Sequence, residues 1–485
     1  MTNNSWTDRA SRLTGVDRAV LFTVSARLLQ VAGSVGTVLL IIHFLSPAEQ
    51  GYYYTLLSLA ALQVIFELGF SFVILQLAAH ESALMTIDSE GRVEGNPISH
   101  ARLASVLQLT VRWYACAALA LVVVILPIGF CFFSSGHAVN QQHVSWGGPW
   151  TAAVCAVSLT FFLTPLFSFI EGCNQVRQVA RLRMLQALVV LAISWGAIAS
   201  GHGLYACALV NAGWSLTGLA FLARRRTLLM SLLSFPVGRN RVSWRTEIWP
   251  FQWKTAVSWL CSYFTLQLFT PILFAFRGPQ EAGRMGLSIS IAGYLPIVAL
   301  CWITTKAAPF GRLIQLGRIE ELDVLFWSAL RKSVGLILFL FITCMVAVLA
   351  LHLFVPAIAR RMESTPIILL LLITAVSSFV IQALAVYLRS FKREPYLVQS
   401  TTVACLTLIG ILLTAHRWGS TAVALTYFFS TGVIGLVWAI IIFKRKNNSY
   451  PATHVHPLGA SNHTNAMCDA ASGSLLQCVG EGRPE

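Results

Sequence analysis

Three ionisable side chains, Arg27, Glu67 and Arg112, stand well inside long apolar runs of the sequence. In hydrocarbon each costs roughly 2.5–3.5 kcal/mol, so it must be held for packing or for work. Each has polar company at helical spacing. Thr23, Arg27, Gln30, Ser34 and Thr37 fall within about 80° of arc on one helix. Gln63 and Ser71 flank Glu67 at i−4 and i+4, and Ser105 and Gln108 precede Arg112 at i−7 and i−4. At 1.5 Å per residue all three charges reach one layer of the first half of the chain. Lys254 and Lys306 lie nearer the ends of their apolar runs. Two readings of this chemistry are open. In one, Arg27, Gln30, Arg112, Lys254 and Lys306 line a cationic cavity that takes an anionic group, because guanidinium replaces the hydration of phosphate oxygens bidentately. Glu67 is then a pair partner or carries a proton. In the other, Arg27 and Glu67 form a buried ion pair that fixes helix packing, Arg112 bonds backbone carbonyls, and Lys254 anchors an interface beside Trp249 and Trp253 by snorkelling.

The elements that hold these residues follow from composition. The chain has 485 residues, 56% hydrophobic and 11% charged, with mean hydropathy +0.71. A soluble domain carries roughly 25% charged residues. So few charges cannot cover a soluble globule, and the class left is a polytopic membrane protein. Lys and Arg number 34 against 19 Asp and Glu, a net +15. In a membrane protein that excess points to cytoplasmic loops and a cationic cavity rather than to nucleic acid. The 11 Cys form no CxxC pair and no cluster with His, so neither a zinc site nor a disulfide framework is expected. No Walker A motif is present, so ATP is not the direct driver. No paired carboxylates or His-rich constellation calls for catalysis. No enzyme activity, metal or cofactor is expected. The first apolar run, Ala19–Leu45, is too long for the core of a cleavable leader and reads as a true first span.

A hydrocarbon core about 30 Å thick takes about 20 helical residues. Twelve spans are predicted, near 19–45, 51–79, 103–133, 150–170, 184–200, 203–223, 250–276, 284–305, 331–355, 366–388, 396–414 and 421–443. With the N-terminus cytoplasmic, 27 Lys and Arg fall in inner segments and 5 in outer loops, so the positive-inside rule puts both termini in the cytoplasm. The predicted organisation is an N-tail over 1–18, a six-helix bundle over 19–223, a linker over 224–249, a second bundle over 250–443 and a disordered tail over 444–485. Pro127, Pro165, Pro271 and Pro296, inside spans, are expected to kink them.

The two halves repeat. Pro47-Ala48-Glu49-Gln50-Gly51 and Pro279-Gln280-Glu281-Ala282-Gly283 share the pattern P-x-E-x-G. The helices that follow keep this register, with Leu57–Ala60 facing Ile289–Ala292. The stripe of the first span is echoed by Lys254, Ser258, Cys261 and Thr265 on the seventh. A repeat of six helices, an even number, inserts twice in the same orientation. It predicts an all-α fold of two six-helix bundles related by a parallel pseudo-two-fold, with a cavity between them and alternating access by rocking.

Several stretches resemble polysaccharide-biosynthesis membrane proteins. They are Glu247-Ile248-Trp249-Pro250-Phe251-Gln252-Trp253-Lys254, Ser258-Trp259, Tyr263-Phe264, Gly278-Pro279 through Ala282-Gly283, and Met285-Gly286-Leu287-Ser288. In the first half, Arg27-Leu28-Leu29-Gln30 and the Pro47–Tyr54 stretch are similar to them too. The resemblance covers residues 20–445. It is to polysaccharide and O-antigen repeat-unit flippases of the multidrug/oligosaccharidyl-lipid/polysaccharide (MOP) exporter superfamily. It implies a multi-pass protein of the bacterial inner membrane that carries undecaprenyl-pyrophosphate-linked oligosaccharide from the inner to the outer leaflet. It also implies coupling to an ion gradient, H+ or Na+, and contact with other polysaccharide-assembly proteins. The second half departs from a symmetric cationic cavity, with charge only at Lys254, so most buried charge is expected in the first bundle. The competing readings are a multidrug or small-molecule efflux antiporter on the same fold and a membrane glycan polymerase or ligase. Efflux of cations favours an acidic lumen, whereas deep basic residues here outnumber deep acidic ones. The near-chargeless outer loops argue against a polymerase or ligase.

Overall fold

Apolar runs of 20 residues leave the backbone no polar partner but itself, and the chain answers with helices. The computed structural model describes residues 33–447, apart from 83–84, 88–92, 135–143, 307–308, 311–312, 315, 392–394 and most of 239–266. In the first half these are α1 Gly33–Phe44, α2 Pro47–Ala60, α3 Val64–Glu67, α4 Phe70–Ser82, α5 Pro97–Ser134, α6 Gly147–Gly172, α7 Val176–Ala199 and α8 Ala206–Arg224. A short antiparallel ribbon, β1 Met85–Ile87 with β2 Val93–Gly95, joins α4 to α5. The amphipathic α9 Arg226–Leu233 leads towards the second half.

That half contains α10 Phe269–Arg277, α11 Pro279–Thr304, α12 Ile319–Phe354, α13 Pro356–Ala359, α14 Thr365–Arg389, α15 Leu397–Tyr427 and α16 Leu436–Asn447. A π-helical stretch, Phe428–Gly435, joins the last two. Among the described residues eight helices are long and apolar enough to cross a membrane. Helices α4 to α8 pack chiefly on one another, as do α10 to α16, and the broadest contact between any two elements joins α2 to α11 across the halves.

Two departures from the predicted spans matter for function. The second span is not one continuous helix. After α2 it tightens into a 3-10 turn at Ala61–Gln63, resumes as α3, and breaks at Leu68 (φ 49°) and Gly69 (φ 69°) before α4. Two left-handed residues in a row cannot continue a right-handed helix. The other break, at Gly419 (φ 52°), separates the eleventh and twelfth spans. Pro127, Pro165 and Pro296 lie within α5, α6 and α11, while Pro271 sits in the first turn of α10, where proline costs little. The sharp breaks thus fall at Leu68-Gly69 and Gly419 rather than at the expected prolines.

Candidate functional site

The repeated P-x-E-x-G motif is first a helix start. Ser46 caps α2: its hydroxyl accepts from Glu49 N–H at 3.2 Å, and Glu49 accepts from Ser46 N–H at 2.8 Å. Pro47 occupies the first turn, where its missing N–H is no loss. In α11 the cap is Gly278, at φ 88°, with Pro279 again in the first turn. The glycine that ends each motif then lets the halves touch. A Cβ on Gly51 would overlap the Pro279 carbonyl, and one on Gly283 would lie 2.8 Å from Gly51 N. The two copies of the motif therefore meet each other across the pseudo-two-fold.

Polar and aromatic groups lock this end. Gln50 Nε2 donates to Gly283 O (2.9 Å) and Arg361 O (3.1 Å). The Arg361 guanidinium donates to the carbonyls of Ile42 and Leu45. Burial lowers the Arg361 pKa and the carboxylate of Glu49 opposes that. Beside them Tyr52, Phe132 and Phe133 pack on Phe274 of α10, with ring centroids 4.9–5.7 Å apart.

A carboxyl pair completes the lock. Ser420 N–H reaches Glu281 Oε1 at 2.6 Å, while the single Ser420 hydroxyl lies 2.9 Å from that same oxygen and 2.7 Å from Glu363 Oε1. One hydroxyl proton cannot serve both carboxylates, so the arrangement is satisfied when one carboxyl is protonated. Glu363 is the buried one. Burial raises its pKa, Ser420 and Arg284 lower it, and Glu281 raises it, for a net upward shift.

Away from the locked end lies a cavity of about 830 Å³ lined by α1, α2, α6, α7 and α8 from the first half and α11 from the second. Its walls carry Ser34, Thr37, Thr160, Ser194 and Asn211, the rings of Tyr53, Trp214 and Tyr294, and one arginine, Arg183. No Asp or Glu stands among the lining residues. Arg183 is held by Glu171, Nη2 to Oε2 2.6 Å, with half of the arginine side chain still exposed. Gln186 donates to Trp214 O at 3.1 Å, and its Oε1 is buried without a partner.

The predicted site residues scatter around this cavity. Arg27, Gln30 and Lys254 lie outside the described residues. Ser34 and Thr37, on the same stripe as Arg27, do line it. Lys306 is half-buried just past the end of α11 and is not in the lining. Glu67 sits at the break between α3 and α4, facing Ser71 and Tyr114 inside the first bundle. Arg112 does not join it. It is exposed on the face of α5 that also exposes Leu119 and Val123.

The stripe that ran with Arg112 has a different use. Gln108 Nε2 reaches the carbonyls of Leu232, Leu233 and Phe235, satisfying the C-terminal end of α9, and Ser105 accepts from Val242 N–H. These residues clasp the linker to α5. Sequence reading missed Arg183, because it stands among the arginines at the start of α7 and reads as a loop charge. The available signal was its position one turn below Gln186 and two residues from Arg181, which places the two arginines on opposite sides of the helix.

The sequence matches no family model and no curated protein. Solved structures do share its architecture. A lipid II flippase MurJ in an inward closed conformation aligns with TM-score 0.54 at 13% identity, over 89% of this chain and 90% of its own. This is the fold of MOP-superfamily transporters. An inward-facing MATE-family multidrug resistance transporter of the same superfamily aligns with TM-score 0.51 at 11% identity, over 85% of this chain and 99% of its own. A MOP transporter from Pyrococcus furiosus, described as having a binding pocket of reversed polarity, aligns with TM-score 0.51 at 11% identity, over 90% and 95%. At such identity the likeness establishes the fold. In that fold, the contact of α2 with α11 is the meeting of the two pseudo-two-fold-related halves.

Proposed function

We propose that this MOP-fold protein translocates undecaprenyl-pyrophosphate-linked oligosaccharide repeat units from the inner to the outer leaflet of the bacterial inner membrane, for surface polysaccharide assembly. The observation that carries the reading is the lining of the cavity. Hydroxyls, amides and aromatic rings suit sugars, the unpartnered Gln186 Oε1 offers an acceptor, and the one cation, Arg183, suits a phosphate. A cavity built for organic cations calls for a carboxylate in its wall, and none stands there. Both termini are cytoplasmic on this reading, so the Pro47 end is periplasmic and closed, and Arg183 is near the cytoplasmic mouth. The polyprenyl tail stays in lipid while the head group passes. Glu67, at a helix break of the kind that marks ion sites in transporters, is the candidate carrier of the coupling proton. Arg27, Gln30, Lys254 and Lys306 remain candidates for the cytoplasmic half of the route.

The test uses a strain lacking the protein. Polyprenyl-linked sugars are extracted after exposure to a glycan-modifying reagent confined to the periplasm. Complete repeat units that accumulate unmodified, and that clear on complementation with the wild type, support the reading. No accumulation, together with lost resistance to organic cations, moves the function to efflux. Units displayed outside but left unpolymerised move it to an assembly enzyme.

A further inference from the structure

A second cavity, of about 680 Å³, opens between the start of α7 and the end of α8. It lies on the side of α7 away from Arg183. Three arginines converge on it: Arg181 from α7, Arg224 at the end of α8, and Arg225 just beyond. Gln178 accepts from the Arg225 guanidinium and so orients it. No carboxylate lines the groove, and among the described residues neither Arg181 nor Arg224 is paired with one. The positive-inside rule asks only for charge on this side. It does not ask for a pocket, nor for three guanidinium groups aimed into one.

The rest of the groove is apolar. Leu182, Leu185 and Phe221 form its walls. From the arginines an apolar track runs along both helices towards mid-membrane: Leu185 and Leu188 on α7 are 51% and 45% exposed, and Leu219 and Leu216 on α8 are 41% and 66% exposed. A free phosphate would use the arginines and leave this track idle. A lipid uses both, with the headgroup phosphate on the guanidinium groups and an acyl chain along the leucines.

We propose that this groove is a binding site for an anionic phospholipid of the cytoplasmic leaflet, separate from the transport cavity. It rests on the orientation given above and not on the identity of the cargo. A bound lipid would pin the start of α7 to the end of α8, the helices that present Arg183, Gln186, Asn211 and Trp214 to the cavity. It thereby links the headgroup composition of the leaflet to the shape of the transport site.

The experiment is native mass spectrometry of the purified full chain, titrated with dioleoylphosphatidylglycerol, dioleoylphosphatidylcholine or inorganic phosphate. Phosphatidylglycerol should bind as a saturable single adduct, phosphatidylcholine much more weakly, and phosphate should not compete. The double variant Arg181→Gln/Arg224→Gln should weaken that adduct about tenfold or more, since each lost charge-assisted bond is worth about 1.5–3 kcal/mol. Ala220→Trp fills the groove without touching a charge and should weaken it likewise. Arg112→Gln removes an exposed arginine elsewhere and should change nothing. Equal binding in wild type and both groove variants overturns the site. An equal loss in Arg112→Gln means general charge attraction and overturns it too. Competition by phosphate would make it a free-anion site. Displacement of phosphatidylglycerol by undecaprenyl pyrophosphate would make it a landing place for cargo, whatever cargo the strain experiment names.

Discussion

Arg183 is the residue on which the transport chemistry turns. Its ion pair with Glu171 is half open to the cavity, and an exposed pair of this kind contributes at most about 1 kcal/mol to stability. The arginine is therefore positioned more than it is spent, and its remaining N–H groups are free for an anionic head group. Arg183→Gln is expected to leave expression and melting temperature nearly unchanged while cutting translocation at least about tenfold, the loss of one charge-assisted contact. Glu171→Gln keeps the cation and should retain most activity. Arg112→Ala, on the exposed apolar face of α5, should be close to neutral. The strain assay with each variant checks all three, and a dead Arg112 variant beside an active Arg183 variant would reverse the assignment. The deep polar stripes of Arg27 and Arg112 were legible in the sequence because charge in hydrocarbon is costly. What each stripe faces was not legible. Ser34 and Thr37 face the cavity, whereas Ser105 and Gln108 serve a linker more than 120 residues away in sequence. Only tertiary packing chooses between those outcomes.

At the scale of elements, the motif repeat was the most informative signal, and its meaning became clear only in three dimensions. Proline in the first turn and glutamate three residues past the cap explain the helix start in each copy. They do not explain the glycines. Gly51 and Gly283 are required because α2 and α11 approach until backbone meets backbone. Gly51→Ala should cost the closed arrangement about 1–3 kcal/mol, as overpacking does. Gly196→Ala is its control: that glycine lies within α7 with nothing near its missing Cβ, and alanine there should stabilise by up to about 1 kcal/mol. Spin labels at the exposed Phe44 and Ala357, in a background without the exposed cysteines, would read the first effect as a longer, broader distance distribution. An unchanged distribution in Gly51→Ala would mean that the contact does not hold this end shut. The break at Leu68-Gly69 escaped the sequence reading because leucine gives no hint of a left-handed residue. The Gly419 break was readable as a boundary between two spans.

The whole molecule alternates between two arrangements, and the carboxyl pair at its closed end ties that choice to pH. Glu363 is buried beside Glu281 behind Ser420, and its pKa is raised in the closed arrangement. Opening this end would part α11 from its neighbours and return Glu363 towards the ordinary carboxylate value near 4.3. Between that value and the raised one, the closed form holds more protons than the open form. The closed end is then fully stabilised below the ordinary value and loses that contribution as pH rises through the raised one. The groups that face Glu363 are Glu281 and Arg284 from α11 and Ser420 from the start of the last span. Their combined effect keeps the shift upward. On the proposed orientation this proton comes from the periplasm, so an acidic periplasm favours closure and holds the cavity open to the cytoplasm, where cargo loads. The Phe44–Ala357 spin-label pair should give a short distance at pH 5 and a growing long component towards pH 8. Glu363→Gln keeps a neutral hydrogen-bonding group at Ser420 and should hold the short distance across the range. A pH-independent distance in the wild type would remove Glu363 from the gate and leave Glu67 as the only proton carrier to test.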